Sequence, residues 1–149
     1  MALKQLPEDF KDFIKFLNDH KVRYLLVGGW AVGIYGNPRA TKDIDFLIAT
    51  DDDNIGNLLD ALKAFKAPAV DKSVFTDKGN VFRMGSSPIQ IDIINEATGI
   101  VFEECYDRRN IIHADDVQIP VISREDLIKN KRACGRYRDL ADIESLNDS

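Results

Sequence analysis

Residues 28–48 read GGWAVGIYGNPRATKDIDFLI, and the reading of that stretch decides the fold. Gly28 and Gly29 follow the apolar run RYLLV of residues 23–27, a short buried strand stopped by glycine. A brief helix is predicted over 30–35, and Pro38 prevents its continuation. A loop then carries Arg39, Thr41 and Lys42 into a second strand over 43–48. Side chains alternate along a strand, so Ile44 and Phe46 turn to the core while Asp43 and Asp45 face out together. Two carboxylates at roughly 4 Å repel by about 4 kcal/mol at an effective dielectric near 20, so something positive is expected between them. A hard divalent cation such as Mg²⁺ binds through carboxylate oxygens and usually shares its site with substrate phosphates. The glycine pair ahead of a helix, with bare N–H groups at the positive dipole end, suits those phosphates.

Working outward, residues 7–18 open with Pro7, Glu8 and Asp9 and place Phe10, Phe13, Ile14 and Leu17 at helical spacing, an amphipathic helix with acids near its positive end. After the acidic turn 51–53, Asp53 is expected to cap a helix over 54–65 whose Ile55, Leu58, Leu59 and Leu62 form one stripe. The Asp77-Lys78-Gly79-Asn80 turn signal suggests a hairpin from residues 74–80 into a strand over 81–84. Residues 89–94 alternate: Ile89, Ile91 and Ile93 lie on one face, Gln90 and Asp92 on the other. If this strand neighbours 43–48, Asp43, Asp45 and Asp92 converge. A helix over 101–106 follows, then a strand pair near Ile111 and over 117–122. Ser123, with Asp126 three residues on, caps a helix that Gly135 ends, and a last helix covers 137–146. Strands alternating with helices predict an α/β or α+β domain, helices packed on a mixed sheet.

The 149 residues, 44% hydrophobic and 30% charged, suit one compact domain, with residues 123–147 as a short helical C-terminal part. A net charge of −5 argues against broad, sequence-independent nucleic-acid binding, which needs an excess of Lys and Arg. No apolar run approaches the roughly 20 residues of a membrane span, and MALKQLPEDF lacks a secretory signal's apolar centre, so a cytoplasmic address is expected. Cys105 and Cys134 are far apart in the chain and read as reduced, partly buried thiols.

The double glycine, the R-x-T-x-D-x-D of residues 39–45 and Asp92 on a later strand together resemble the DNA polymerase beta-like nucleotidyltransferase superfamily. The resemblance is to its small bacterial members, the lincosamide-type resistance enzymes and the nucleotidyltransferase toxins of abortive-infection systems. Lys131, Gly135, Arg138, Asp139 and Asp142 look like the tail of many such proteins, so the likeness spans residues 22–146. It implies a mixed sheet whose glycine turn and D-x-D strand line one cleft. It further implies two Mg²⁺ ions, or Mn²⁺, held by Asp43, Asp45 and Asp92, which are also the catalytic residues, with Asp92 as general base or metal holder.

Each of these residues also has a plainer reading. Gly28 and Gly29 could form only a tight turn; their place between strand and helix favours a phosphate cradle. Arg39 and Lys42 could be solvated loop charges, and Arg39's guanidinium fork makes it the better phosphate contact. Thr41 either touches a phosphate or supports the loop. Lys131, Arg136 and Arg138 form a basic cluster, either a solvated helix end or, through Lys131 and Arg138, contacts to a triphosphate, with Asp139 holding Arg138 or Lys131. Trp30 and Tyr35 read as core rather than as base-stacking groups. The expected activity is transfer of a nucleoside monophosphate from an NTP to a hydroxyl of a small-molecule acceptor. A toxin acting on tRNA or protein, with an antitoxin partner, and a non-catalytic nucleotide-binding module are the alternatives, and a homodimer stays open.

Overall fold

The computed structural model describes residues 6–36, 43–86 and 89–147. Their strands form one six-stranded mixed sheet in the order β3-β4-β2-β1-β6-β5. The first helix, α1 (Glu8–Asp19), buries Phe10, Phe13, Ile14 and Leu17, the four residues at helical spacing. Strand β1 (Tyr24–Val27) is buried along its whole length and passes without a linker into helix α2 (Gly28–Tyr35). The helix therefore starts at the glycine pair itself, two residues ahead of the expected Trp30.

Strand β2 (Asp43–Ile48) runs antiparallel to β1, with Val27 opposite Asp45. Its inward residue Phe46 meets Phe13 of α1 and Tyr24 of β1, at ring separations of 5.7 and 5.5 Å. Helix α3 (Asp52–Ala64) is capped by Asp51, whose Oδ2 accepts from the Asn54 N–H at 3.1 Å, rather than by Asp53. The reason lies in Asn54. Its buried side chain accepts from the Arg23 N–H and donates to the Arg23 and Ala49 carbonyls, which locks it inside the first turn and shifts the cap upstream.

The expected hairpin ahead of β3 is absent. A single helical turn, α4 (Ser73–Thr76), buries Phe75 against Phe82, and the following turn is pinned by Asn95. The Asn95 amide accepts from the Gly79 N–H and donates to the carbonyls of Phe75 and Asp77. A four-residue stretch with one buried apolar position offers a sheet nothing to pack, so a side-chain-anchored turn prevails. The hairpin forms one step later, between β3 (Val81–Ser86) and β4 (Ile89–Ile94), with Arg83 opposite Asp92.

Helix α5 (Phe102–Asp107) leads to β5 (Asn110–Ala114) and β6 (Val117–Val121), an antiparallel pair joined to the sheet by parallel contact of β6 with β1. Helix α6 (Arg124–Cys134) is capped by Ser123 Oγ, which accepts from the Asp126 N–H at 3.1 Å. Gly135, at φ 69°, ends it in the left-handed conformation that glycine adopts without a steric penalty. Helix α7 (Tyr137–Asn147) packs back on α6, and both touch α2. Cys105 is buried, Cys134 is half-buried, and both are free thiols. Among the described residues no helix is long and apolar enough to cross a membrane.

Candidate active site

Strands β2 and β4 lie side by side and parallel, in a register that sets Asp45 against Asp92 and Asp43 against Gln90. Paired positions on neighbouring strands are about 4.8 Å apart, so this register alone makes Asp45 and Asp92 neighbours. Asp43, Asp45 and Asp92 all line one cavity of about 820 Å³, as do Gly28, Gly29, Lys131 and Arg138. Seven of the residues singled out in the sequence thus meet in one place. Arg39, Thr41 and Lys42 lie outside the described residues.

The acids are unequally surrounded. Asp92 is 4% exposed, and Arg83 reaches it from the adjacent strand with Nε 3.0 Å from Oδ1 and Nη2 3.3 Å from Oδ2. Gln90 adds an amide donor at 3.3 Å from Oδ1. Asp45 is half-buried, and burial first, then the charges of Asp92 and Asp43, push its carboxyl up to about 6 against the pull of Lys131 and Arg83. Burial and the two neighbouring acids thus outweigh the nearby cations at Asp45. Among the described residues no three His, Cys, Asp or Glu side chains surround a point as a finished ion cage. The hard oxygen donors and the raised Asp45 do fit a divalent cation that completes its shell with water and phosphate oxygens, as Mg²⁺ commonly does.

Gly28 has a more specific role than a turn. Its φ is +70°, and a Cβ there would lie 3.0 Å from Asp45 Cγ and overlap the carboxylate. The missing side chain lets β2 lay Asp45 directly over the start of α2. The N–H groups of that helix N-terminus and the acids consequently share one wall of the cavity.

The junction of α6 and α7 also lines the cavity. Lys131 is 6% exposed, with Nζ 3.4 Å from Asp139 Oδ1 and 3.3 Å from Asp142 Oδ2, so it is no solvated helix end. Asp139 is fully buried; it takes Arg136 Nε at 2.6 Å and the Arg136 backbone N–H at 3.1 Å, which ties the start of α7. Burial alone would raise the Asp139 carboxyl, yet the Arg136 hydrogen bonds and the Lys131 charge hold it below the usual carboxylate range. The partners of Asp139 are thus Lys131 and Arg136, not Arg138, which is exposed at the cavity wall. Trp30 packs edge-on against Phe10, and Tyr35 donates its hydroxyl to the Ile122 carbonyl, so both serve the scaffold.

Arg83 and Gln90 are the residues that the sequence reading missed. The β3/β4 register sets Arg83 against Asp92, a pairing that alternation within each strand leaves open. Placing the turn at 77–80 hid it.

A mixed sheet carrying a D-x-D strand beside a strand with a third acid, with a glycine-opened helix over the acids, defines the nucleotidyltransferase class of fold. The chain belongs to the family described as "Nucleotidyltransferase of unknown function (DUF6036)", whose model matches residues 1–147. No curated protein matches the sequence. Among solved structures, the chain is similar to the lincosamide antibiotic adenylyltransferase LnuA, lincomycin-bound, at 17% identity and a TM-score of 0.58, covering 97% of this chain and 98% of that one. It is also similar to TM1012 of Thermotoga maritima, a candidate nucleotidyltransferase, at 13% identity and a TM-score of 0.59, covering 94% and 91%. At these identities the likeness shows a shared fold over nearly the whole of each chain.

Proposed function

We propose that this nucleotidyltransferase moves a nucleoside monophosphate from an NTP to a hydroxyl of a small-molecule acceptor, as a single cytoplasmic domain dependent on Mg²⁺ or Mn²⁺. The observation that carries the reading is the β2/β4 register, which brings Asp45 and Asp92 side by side with Asp43 in the cavity that Lys131 and Arg138 also line. Asp43, Asp45 and Asp92 would hold two divalent ions, which when bound neutralise the triphosphate and lower the pKa of the acceptor hydroxyl. Asp92 takes the hydroxyl proton or orients the group that loses it. The acceptor oxygen then bonds to the α-phosphorus as the bond from that phosphorus to the bridging oxygen breaks, and pyrophosphate leaves with the electron pair. The N–H groups at Gly28 and Gly29, with Lys131 and Arg138, steady the leaving phosphates, and Arg39, Thr41 and Lys42 are assigned to the same task.

The small acceptor is supported by the shared fold with LnuA, a lincosamide adenylyltransferase with lincomycin bound. The test incubates the protein with each labelled NTP and Mg²⁺ or Mn²⁺, then follows pyrophosphate release and label transfer into cell extract. Label in a small-molecule fraction, lost in Asp43→Ala/Asp45→Ala, is expected. Label in tRNA or protein would instead establish the toxin-type activity, and NTP binding without turnover the non-catalytic module.

A further inference from the structure

Both oxygens of Asp92 accept from Arg83 as the site stands, so the guanidinium competes with a divalent cation for them. The fork spans the β3/β4 hairpin, Nε to Oδ1 at 3.0 Å and Nη2 to Oδ2 at 3.3 Å, and Gln90 Nε2 stands 3.3 Å from Oδ1. The two ends of this pair live in different surroundings. The Asp92 side chain is 6% exposed and the Arg83 side chain is 60% exposed, on a strand at the edge of the sheet. The carboxylate is therefore fixed and needs a counter-charge, whereas the guanidinium is already largely in water and loses little by leaving. Arg83 lines the same cavity as Arg136 and Arg138, so an anion arriving there offers its fork an alternative set of oxygens.

We infer that Arg83 is a resident counter-cation that occupies Asp92 until a polyphosphate enters, then releases the carboxylate and takes the phosphate, so that divalent ion and triphosphate bind as one unit. The inference rests on the metal-dependent reading above. Such an exchange keeps the acid site from capturing an ion alone, and the coupling is reciprocal: each ligand raises the affinity for the other by the same factor.

Two titrations of the full chain test this, one with Mn²⁺ alone, read by the EPR signal of free Mn²⁺, and one with preformed Mn²⁺–tripolyphosphate, read by calorimetry. Arg83→Gln should bind Mn²⁺ alone about tenfold more tightly than wild type and the preformed complex about tenfold more weakly, the usual size of a coupling. Arg83→Lys, which keeps the charge but not the fork, should fall between in both, and it serves if the Gln variant folds poorly. A residue that only braces the sheet edge would weaken both affinities in parallel, and that result, or bare Mn²⁺ binding indifferent to Arg83, overturns the inference while leaving the enzyme reading intact. If wild type binds neither Mn²⁺ nor the complex in a manner lost in Asp45→Asn, the metal reading itself fails and the inference with it.

Discussion

Two charged clusters line the cavity, and they are built on opposite principles. At the α6–α7 junction, Lys131 and Arg136 meet the buried Asp139 and Asp142 at 2.6–3.4 Å. On the β2/β4 strands, Asp43, Asp45 and Asp92 line the cavity together, and burial with the charges of Asp92 and Asp43 raises the Asp45 carboxyl to about 6. Closed networks hold structure; an acid held up by burial and by neighbouring acids stores an unfavourable interaction that a ligand can relieve. Removing an acid should therefore have opposite consequences in the two places.

The sharpest contrast comes from turnover. Asp45→Asn should lower nucleotidyl transfer by at least about 10⁴-fold, equivalent to roughly 5 kcal/mol of barrier, with circular dichroism unchanged. Retained turnover would remove the acid cluster from the chemistry. On the other side, Asp139→Ala should cost about 2–3 kcal/mol of stability in denaturant unfolding, because it takes one of two acids from the buried Lys131 and unties α7. A loss below about 1 kcal/mol would show that the network is not structural.

Gly28→Ala links the two properties. Its positive φ and the overlap with Asp45 should cost about 1–2 kcal/mol and displace the carboxylate, so stability and turnover fall together. A variant that loses stability alone would separate the glycine from the site.

The pH dependence of the metal-free protein has a definite sign. The Asp45 carboxyl stands at about 6 when folded against an ordinary 3.8, so the folded state holds the extra proton between those values. Stability present below about 3.8 is thus lost as pH rises to about 6, and Asp45→Asn should be the more stable protein above that, by up to about 3 kcal/mol, with no difference near pH 3.5. Thermal melts of the two proteins across pH 3.5–8 check it. A difference that stays constant with pH would refute the raised carboxyl. The smallest effect belongs to Arg138→Ala, which is exposed; it should raise KM for the NTP about threefold and leave kcat and the melting point alone.

Much of this architecture is legible in the chain because it is local. The bounds of β2 and β4 follow from alternation and stop signals, α1 from four apolar residues at helical spacing, and the α6 ends from Ser123 and Gly135. Two of the misreadings share one cause, a side chain acting from far along the sequence. Asn54 bridges to Arg23 and shifts the α3 cap, and Asn95 pins a turn that otherwise looks like a hairpin. Asp139 chooses Arg136 over its chain neighbour Arg138, which its buried position turns away from.

By itself the sequence determined which groups could do chemistry: three aspartates on two strands, a glycine pair before a helix and a basic tail, since residue type and the two-residue period of a strand are properties of the chain alone. Only the tertiary structure decided that β2 and β4 are parallel neighbours, that Lys131 is buried between two acids, and that Arg83 lies on Asp92. Strand order and register depend on which faces bury together, and the charge state of a carboxylate depends on every neighbour that packing brings within a few ångströms.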